Sequence, residues 1–167
     1  VSLELSAISA LANQATNFLM NQNVPSRQGS LHPNIAPYGE QLHLEGGSLV
    51  LAVGSNAQFH ELCAIIDCSE LVSDKKFCDN VSRVENRLEL ISLLQKNADK
   101  YSRETLLKEF HSNGVPAGAI RDLKEVFAKG SAAEKSTITE QITGSNRKII
   151  KPSTTAYSVT VFGNKTV

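Results

Sequence analysis

From Pro25 to Tyr38 the chain reads Pro-Ser-Arg-Gln-Gly-Ser-Leu-His-Pro-Asn-Ile-Ala-Pro-Tyr, and three prolines within fourteen residues rule out a regular helix there. Each proline also steers the residue before it, so Val24, His32 and Ala36 are expected to be extended. Gly29 frees the backbone at one point. The stretch is read as a stiff, irregular loop presenting Arg27, Gln28, His32, Asn34 and Tyr38. Two uses fit such a loop: a surface that meets a ligand, or a long connector between a helix and a hairpin.

The flanks fit either use. Before the loop, Leu5, Ile8, Leu11, Ala12, Ala15, Phe18 and Leu19 recur at helical spacing, which predicts one helix from Ser2 to Gln22. After it, Gln41–Leu44 and Ser48–Val53 predict a hairpin around Glu45-Gly46-Gly47. Gly54-Ser55-Asn56 then caps a helix from Ala57 to Ile66. A short helical turn over Ser69–Phe77, a long helix over Val84–Tyr101 and a helix from Ser102 to Phe110 follow, the last stopped by Asn113-Gly114. Val115–Ile120 is predicted extended and Asp122–Ala128 helical. Beyond Lys129 large apolar residues thin out, with strands expected at Arg147–Ile150 and Tyr157–Phe162. This is an α+β pattern.

Composition narrows function mainly by exclusion. Lys and Arg number 17, as do Asp and Glu, so no basic or acidic face points to nucleic acid or an anionic membrane. No apolar run approaches the ~20 residues that span a bilayer. The opening Val-Ser-Leu-Glu has no basic n-region, so no secretory signal is expected. The absence of an initiator Met suggests a processed chain or a piece of a longer one. Cys63, Cys68 and Cys78 lack Cys-x-x-Cys spacing and form an odd set, which points to reduced thiols and a cytoplasmic location. Cys63 is expected to be a buried small hydrophobe.

Few residues invite chemistry directly. His32, His43, His60 and His111 show no metal-ligand spacing, and only His32 lies inside the stiff loop. Gly54 to Phe59 places free backbone N–H groups at a helix start, which suits a carboxylate or serves as an ordinary cap. Arg83 and Arg87 are read first as helix-entry hydrogen bonders and second as anion ligands.

The order of the pieces is more specific than any one of them. Val1-Ser2-Leu3, Leu11 to Ala15, His32-Pro33-Asn34-Ile35-Ala36-Pro37-Tyr38, Leu49 to Gly54 with Gln58-Phe59, Asn80-x-x-Arg83-x-x-Asn86-Arg87-x-Glu89-Leu90, and Gly114 to Gly118 followed by Val126-Phe127 together resemble the class III CoA-transferases of CaiB/BaiF type. That family includes formyl-CoA transferase, carnitine CoA-transferases and α-methylacyl-CoA racemase. The resemblance implies a linker helix over 1–24, a small substrate-side domain over 25–128 and a return segment over 129–167 towards a large CoA-binding domain. It implies two interlocked chains, acyl-CoA and carboxylic acid as substrates, coenzyme A as a substrate, and no tightly bound cofactor or metal.

The family's nucleophile is an Asp upstream of the segment matching Val1, so no catalytic residue is expected in this chain and the chain alone is expected to be inactive. The glycine-rich substrate loop of formyl-CoA transferase corresponds to Gln28–Tyr38, which keeps only Gly29. Gly29, His32, Asn34 and Tyr38 are expected to face the acyl or acid substrate, with Gln58 behind them. The racemase branch carries an acid in the segment matching Gly54–Gln58, where this chain has none, which favours transfer over racemisation. His-Pro-Asn-Ile-Ala-Pro-Tyr looks most like the dicarboxylate-using transferases. The alternatives are a 2-methylacyl-CoA racemase of the same family and a free-standing interaction module. With a partner surface missing, the face of Leu5, Ile8, Leu11 and Phe18 is expected to be under-buried and to self-associate.

Overall fold

A computed structural model describes residues 1–141 and 148–152. The chain divides into two compact units, Val1–Gly118 and Ala119–Val167.

In the first unit the predicted hairpin is present. Strands β1 (Tyr38–Leu44) and β2 (Gly47–Ala52) pair antiparallel, with Leu42 opposite Leu49 and Leu44 opposite Gly47. A third strand, β3 (Ala117–Ala119), lies on the far side of β2. The register of β1 shifts between Tyr38 and Gln41, a bulge that turns Gly39 and Glu40 both inward. Helices α3 (Asn56–Ile65), α4 (Asn80–Glu85), α5 (Arg87–Ala98) and α6 (Arg103–Ser112) follow, with a single 3-10 turn at Ser69–Val72.

The core is contiguous. Leu42, Leu49 and Leu51 of the sheet meet Phe59, Leu62 and Cys63 of α3, Leu90 and Leu94 of α5, and Leu106 and Phe110 of α6, all essentially inaccessible. Burying an aliphatic or aromatic side chain of this size contributes about 1.5–3 kcal/mol, so this cluster is the main stabilising feature of the unit. One polar contact joins helix to sheet. The Gln95 amide accepts from the His43 N–H at 2.9 Å and donates to the His43 carbonyl at 2.8 Å, as a neighbouring strand would.

Three helices depart from the sequence reading. The predicted single helix over Ser2–Gln22 is two, α1 (Leu3–Ala10) and α2 (Ala12–Asn21), broken where Ala12 takes a φ of 46°. Neither buries a residue, and Ser, Asn and Thr are weak helix formers, so little holds one continuous axis. The long helix predicted over Val84–Tyr101 begins earlier and breaks at Asn86, whose side-chain amide donates to the Ser82 carbonyl in competition with the helix ladder. The helix predicted over Asp122–Ala128 shrinks to one turn, α7 (Leu123–Val126), held by an Asp122–Glu125 capping box and no buried face.

The second unit adds α8 (Ala132–Lys135) and a hairpin of β4 (Thr137–Gln141) with β5 (Lys148–Pro152), Thr137 opposite Pro152. Helix α8 and β4 fall where composition gave no periodic signal. The expected strand at Tyr157–Phe162 lies outside the described residues. No helix among the described residues is long and apolar enough to cross a membrane.

Candidate functional site

The proline loop runs from Gln22 to Pro37 between α2 and β1, and its second half is tied down by α4 and α5. Asn80 donates from Nδ2 to the Asn34 carbonyl at 2.8 Å and accepts on Oδ1 from the Ala36 N–H at 3.2 Å. Arg83 donates from Nε to the Ala36 carbonyl at 2.8 Å, from Nη1 to the Phe77 carbonyl at 3.0 Å and from Nη2 to Asn56 Oδ1 at 2.8 Å. Its guanidinium lies 4.5 Å from the Phe59 ring centroid. Arg87 donates from Nη2 to the carbonyls of His32 and Ile35, each at 2.7 Å. The loop closes on the sheet through His32 N–H to the Tyr38 carbonyl at 2.8 Å and Val53 N–H to the Pro37 carbonyl at 3.0 Å. The Ala36–Pro37 bond is cis.

These arginines do a different job from either reading the sequence offered. Arg83 is only 2% exposed and its donors face carbonyl and amide oxygens, so it binds the chain's own backbone rather than an external anion. Burial depresses its guanidinium pKa below the ordinary value. Arg87 sits on the same face of α5 as buried Leu90, Leu94 and Ala98, so its stem extends the apolar stripe while its head reaches the loop.

Behind the loop stands Glu40, 2% exposed and paired with Arg87 Nε at 3.2 Å. Neither its carboxylate oxygens nor Arg87 Nε has a well-aligned hydrogen-bond partner among the described residues. Burial pushes the Glu40 carboxyl above its ordinary value, and the Arg87 charge opposes that shift. The pair joins β1 to the helix that grips the loop.

The sequence-predicted residues fall into two groups. Gly29, with a φ of 64°, lies in the turn closed by Leu31 N–H on the Gln28 carbonyl, and a Cβ there would meet nothing within 4 Å. His32 is half-buried, its ring edge-on to Tyr38 with centroids 5.4 Å apart. Its Nδ1 accepts from the Asn34 N–H at 3.1 Å, which assigns the proton of the neutral ring to Nε2. The Asn34 and Tyr38 side chains are exposed. The His32 and Tyr38 rings meet at the loop's exit, while Asn34 lines the cleft towards α2 and Gly29 lies at the turn before them.

Gln58 belongs elsewhere. Its Oε1 accepts from the N–H groups of Gly54 at 2.9 Å and Ser55 at 3.2 Å, while Ser55 Oγ caps Gln58 N. The start of α3, suggested as an anion site, is a capping box whose oxygens come from the chain itself.

Other candidates have structural partners. His43 Nδ1 lies 2.8 Å from Ser48 Oγ across the hairpin, and His111 Nε2 lies 2.9 Å from the Ala117 carbonyl. Cys63 and Cys68 are buried, and their mutual hydrogen bond together with burial pushes the Cys63 thiol far up, away from reactivity. Among the described residues no three His, Cys, Asp or Glu side chains gather to hold a metal.

Four participants escaped the sequence reading: Asn80 as an anchor, Glu40, Ser30 and Gly39. Ser30 Oγ donates to the Gly39 carbonyl at 2.8 Å, and a Cβ on Gly39 would stand 1.9 Å from the Ser30 carbonyl oxygen. With a φ of 89° as well, position 39 admits only glycine without displacing the loop. The spacing of Asn80 and Arg83 was the available signal, since residues three apart share a helical face, while Arg87 joins them from the start of the next helix.

The small three-stranded sheet with its flanking helices is the fold of a known family. Residues 1–160 match the family described as CoA-transferase family III, and the chain belongs to that family. Over 118 residues it is 37% identical to a succinate–glutarate CoA-transferase of Agrobacterium fabrum, covering 71% of this chain and 29% of that protein. Over 135 residues it is 33% identical to the human succinyl-CoA:glutarate CoA-transferase, covering 81% of this chain and 31% of that protein. A CaiB/BaiF family protein from Brucella suis shares the fold with a TM-score of 0.67 and 39% identity, over 78% of this chain and 34% of that one. The chain therefore spans about a third of the length of the relatives it matches.

Proposed function

We propose that this chain is the small, substrate-side part of a CoA-transferase that moves CoA between an acyl-CoA and a dicarboxylic acid. Membership of CoA-transferase family III carries the reading, and the succinate–glutarate relatives supply the acid class. In the whole protein an Asp outside this chain attacks the thioester carbonyl, the C–S bond breaks and CoA leaves as thiolate. The thiolate then attacks the aspartyl carbonyl of the mixed anhydride and releases the donor acid; the incoming acid takes CoA by the same exchange in reverse. None of this chain's own aspartates takes that role.

This chain's part is to bind and orient. The His32 ring, its Nδ1 occupied by the Asn34 N–H, offers Nε2–H to a carboxylate or a thioester oxygen. Asn34 and Tyr38 add side-chain donors beside it, and the open turn at Gly29 leaves room for the substrate. Gln58 supports the neighbouring strand end through its cap. Because Asn80, Arg83 and Arg87 grip the carbonyls of His32, Asn34, Ile35 and Ala36, this wall is preorganised, which favours reaction over reorganisation. Residues 1–24 serve as linker, 25–128 as the small domain and 129–167 as the return to a large domain. Two interlocked copies in the cytoplasm form the working unit.

The full-length protein given succinyl-CoA and glutarate is expected to form glutaryl-CoA and succinate in equal amounts. Absence of CoA exchange with every acid tested overturns the proposal. Solvent deuterium entering the α-carbon of a 2-methylacyl-CoA would assign racemisation instead, a reaction disfavoured by the acid-free capping box at Gly54–Gln58.

A further inference from the structure

We infer that Arg27 is the specificity residue of the loop, receiving the distal carboxylate of a dicarboxylic acid whose other carboxylate undergoes the exchange. The inference rests on the transfer reading above and assigns it a residue.

Charge distribution carries the argument. Between Glu4 and Glu40 the sequence holds a single formally charged side chain, Arg27. The loop's other side chains are amides, hydroxyls, apolar groups and one imidazole, so Arg27 is the one formally charged side chain the loop itself carries. A cleft of about 190 Å³ between α2 and the loop is lined by neutral groups that include Asn17, Asn21, Asn23, Pro25 and Asn34, so it holds no cation of its own. A small acid with one carboxylate at the reacting centre needs a cation for the other, and a guanidinium fork matches a carboxylate in two parallel hydrogen bonds.

The other arginines near the loop are not available for that task. Arg83 and Arg87 are buried, with donors engaged by Asn56 and by the carbonyls of His32, Ile35, Ala36 and Phe77. Arg27 is exposed and has no hydrogen-bond or ion-pair partner among the described residues. Its place is nonetheless defined. Gln28 Nε2 donates to Ser26 Oγ at 2.8 Å around it, and the following turn is pinned to β1 by Ser30 Oγ on the Gly39 carbonyl. Arg27 therefore leaves a fixed turn as an open cation two residues before Gly29.

The test uses the full-length protein with succinyl-CoA as donor and two acceptors of equal chain length, glutarate and the monocarboxylate valerate. Arg27→Gln is expected to lower the glutarate-to-valerate ratio of kcat/KM roughly 10- to 100-fold, through the KM for glutarate, as loss of a charged hydrogen bond predicts. Arg27→Lys, which keeps the charge and loses the fork, is expected to fall between. A ratio unchanged in Arg27→Gln overturns the assignment while leaving the transferase reading intact. A parallel fall for both acids with kcat reduced and KM unchanged overturns it too, since that marks a structural role. If the wild-type protein moves CoA to neither acid, the transferase reading falls and the assignment falls with it.

Discussion

Helices α1 and α2 are regular and bury no residue, whereas the loop after them is irregular and held at His32, Asn34, Ile35 and Ala36 by side chains from α4 and α5. In the helices most backbone groups find their partners within a few residues, and neither helix buries a side chain against a neighbour. In the loop the prolines remove that local solution. Its carbonyls must be satisfied from outside, and buried arginines supply donors where water cannot reach. A segment without regular structure can thus be the better-positioned one.

The sharpest way to break this contrast is Arg83→Met, which keeps the stem's volume and removes three hydrogen bonds. A loss of about 3–5 kcal/mol is expected, because a buried polar network is left half-satisfied. A shift in denaturation midpoint worth less than about 1 kcal/mol would mean the loop is held by its prolines alone. Gly39→Ala comes next. Its Cβ would press on the Ser30 carbonyl at a left-handed φ, and a cost of about 1–3 kcal/mol is expected, with substrate affinity falling alongside stability.

Glu40 gives a smaller effect with a sign in pH. Burial raises its carboxyl above the ordinary 4.5, so the folded protein holds that proton more tightly than the unfolded chain does. Its contribution to stability is fullest below pH 4.5 and declines as pH rises through the raised value. Relative to Glu40→Gln, the wild type should therefore lose stability on going from pH 4 to pH 8 in thermal melts. The opposite trend would show that attraction to Arg87 outweighs desolvation. Smallest of all, Leu5→Ser with Ile8→Ser should change stability by no more than about 0.5 kcal/mol, since both are exposed. The same pair should reduce any self-association, measured as mass in solution; a clean monomer before and after would argue against an apolar contact there.

How far the sequence could be read follows from the same contrast. Period-two and period-3.6 patterns placed the second hairpin strand, α3 and α6 within one or two residues, because each buries one face, whereas β1 begins three residues before the expected Gln41. Helix breaks at Ala12 and Asn86 were not legible: the first has no breaker residue, and the second turns on an asparagine side chain choosing the Ser82 carbonyl. In the site, prolines announced the loop with its half-buried His32 and exposed Asn34 and Tyr38, but not what grips it. Arg83 and Arg87 were read as helix-entry hydrogen bonders or anion ligands because burial of an arginine depends on acceptors brought from some 50 positions away. Glu40 was hidden by the β1 bulge, which turns two successive residues inward where alternation allows one.

One small feature reaches beyond the site. Gln95 occupies both the N–H and the carbonyl of His43 on the outer side of β1. A strand from another molecule that approached this border would find the pairing position next to the end of β1 already taken by a side chain. Sheet-to-sheet growth, the usual route by which an open strand seeds aggregates, is thereby obstructed without any extra element of backbone.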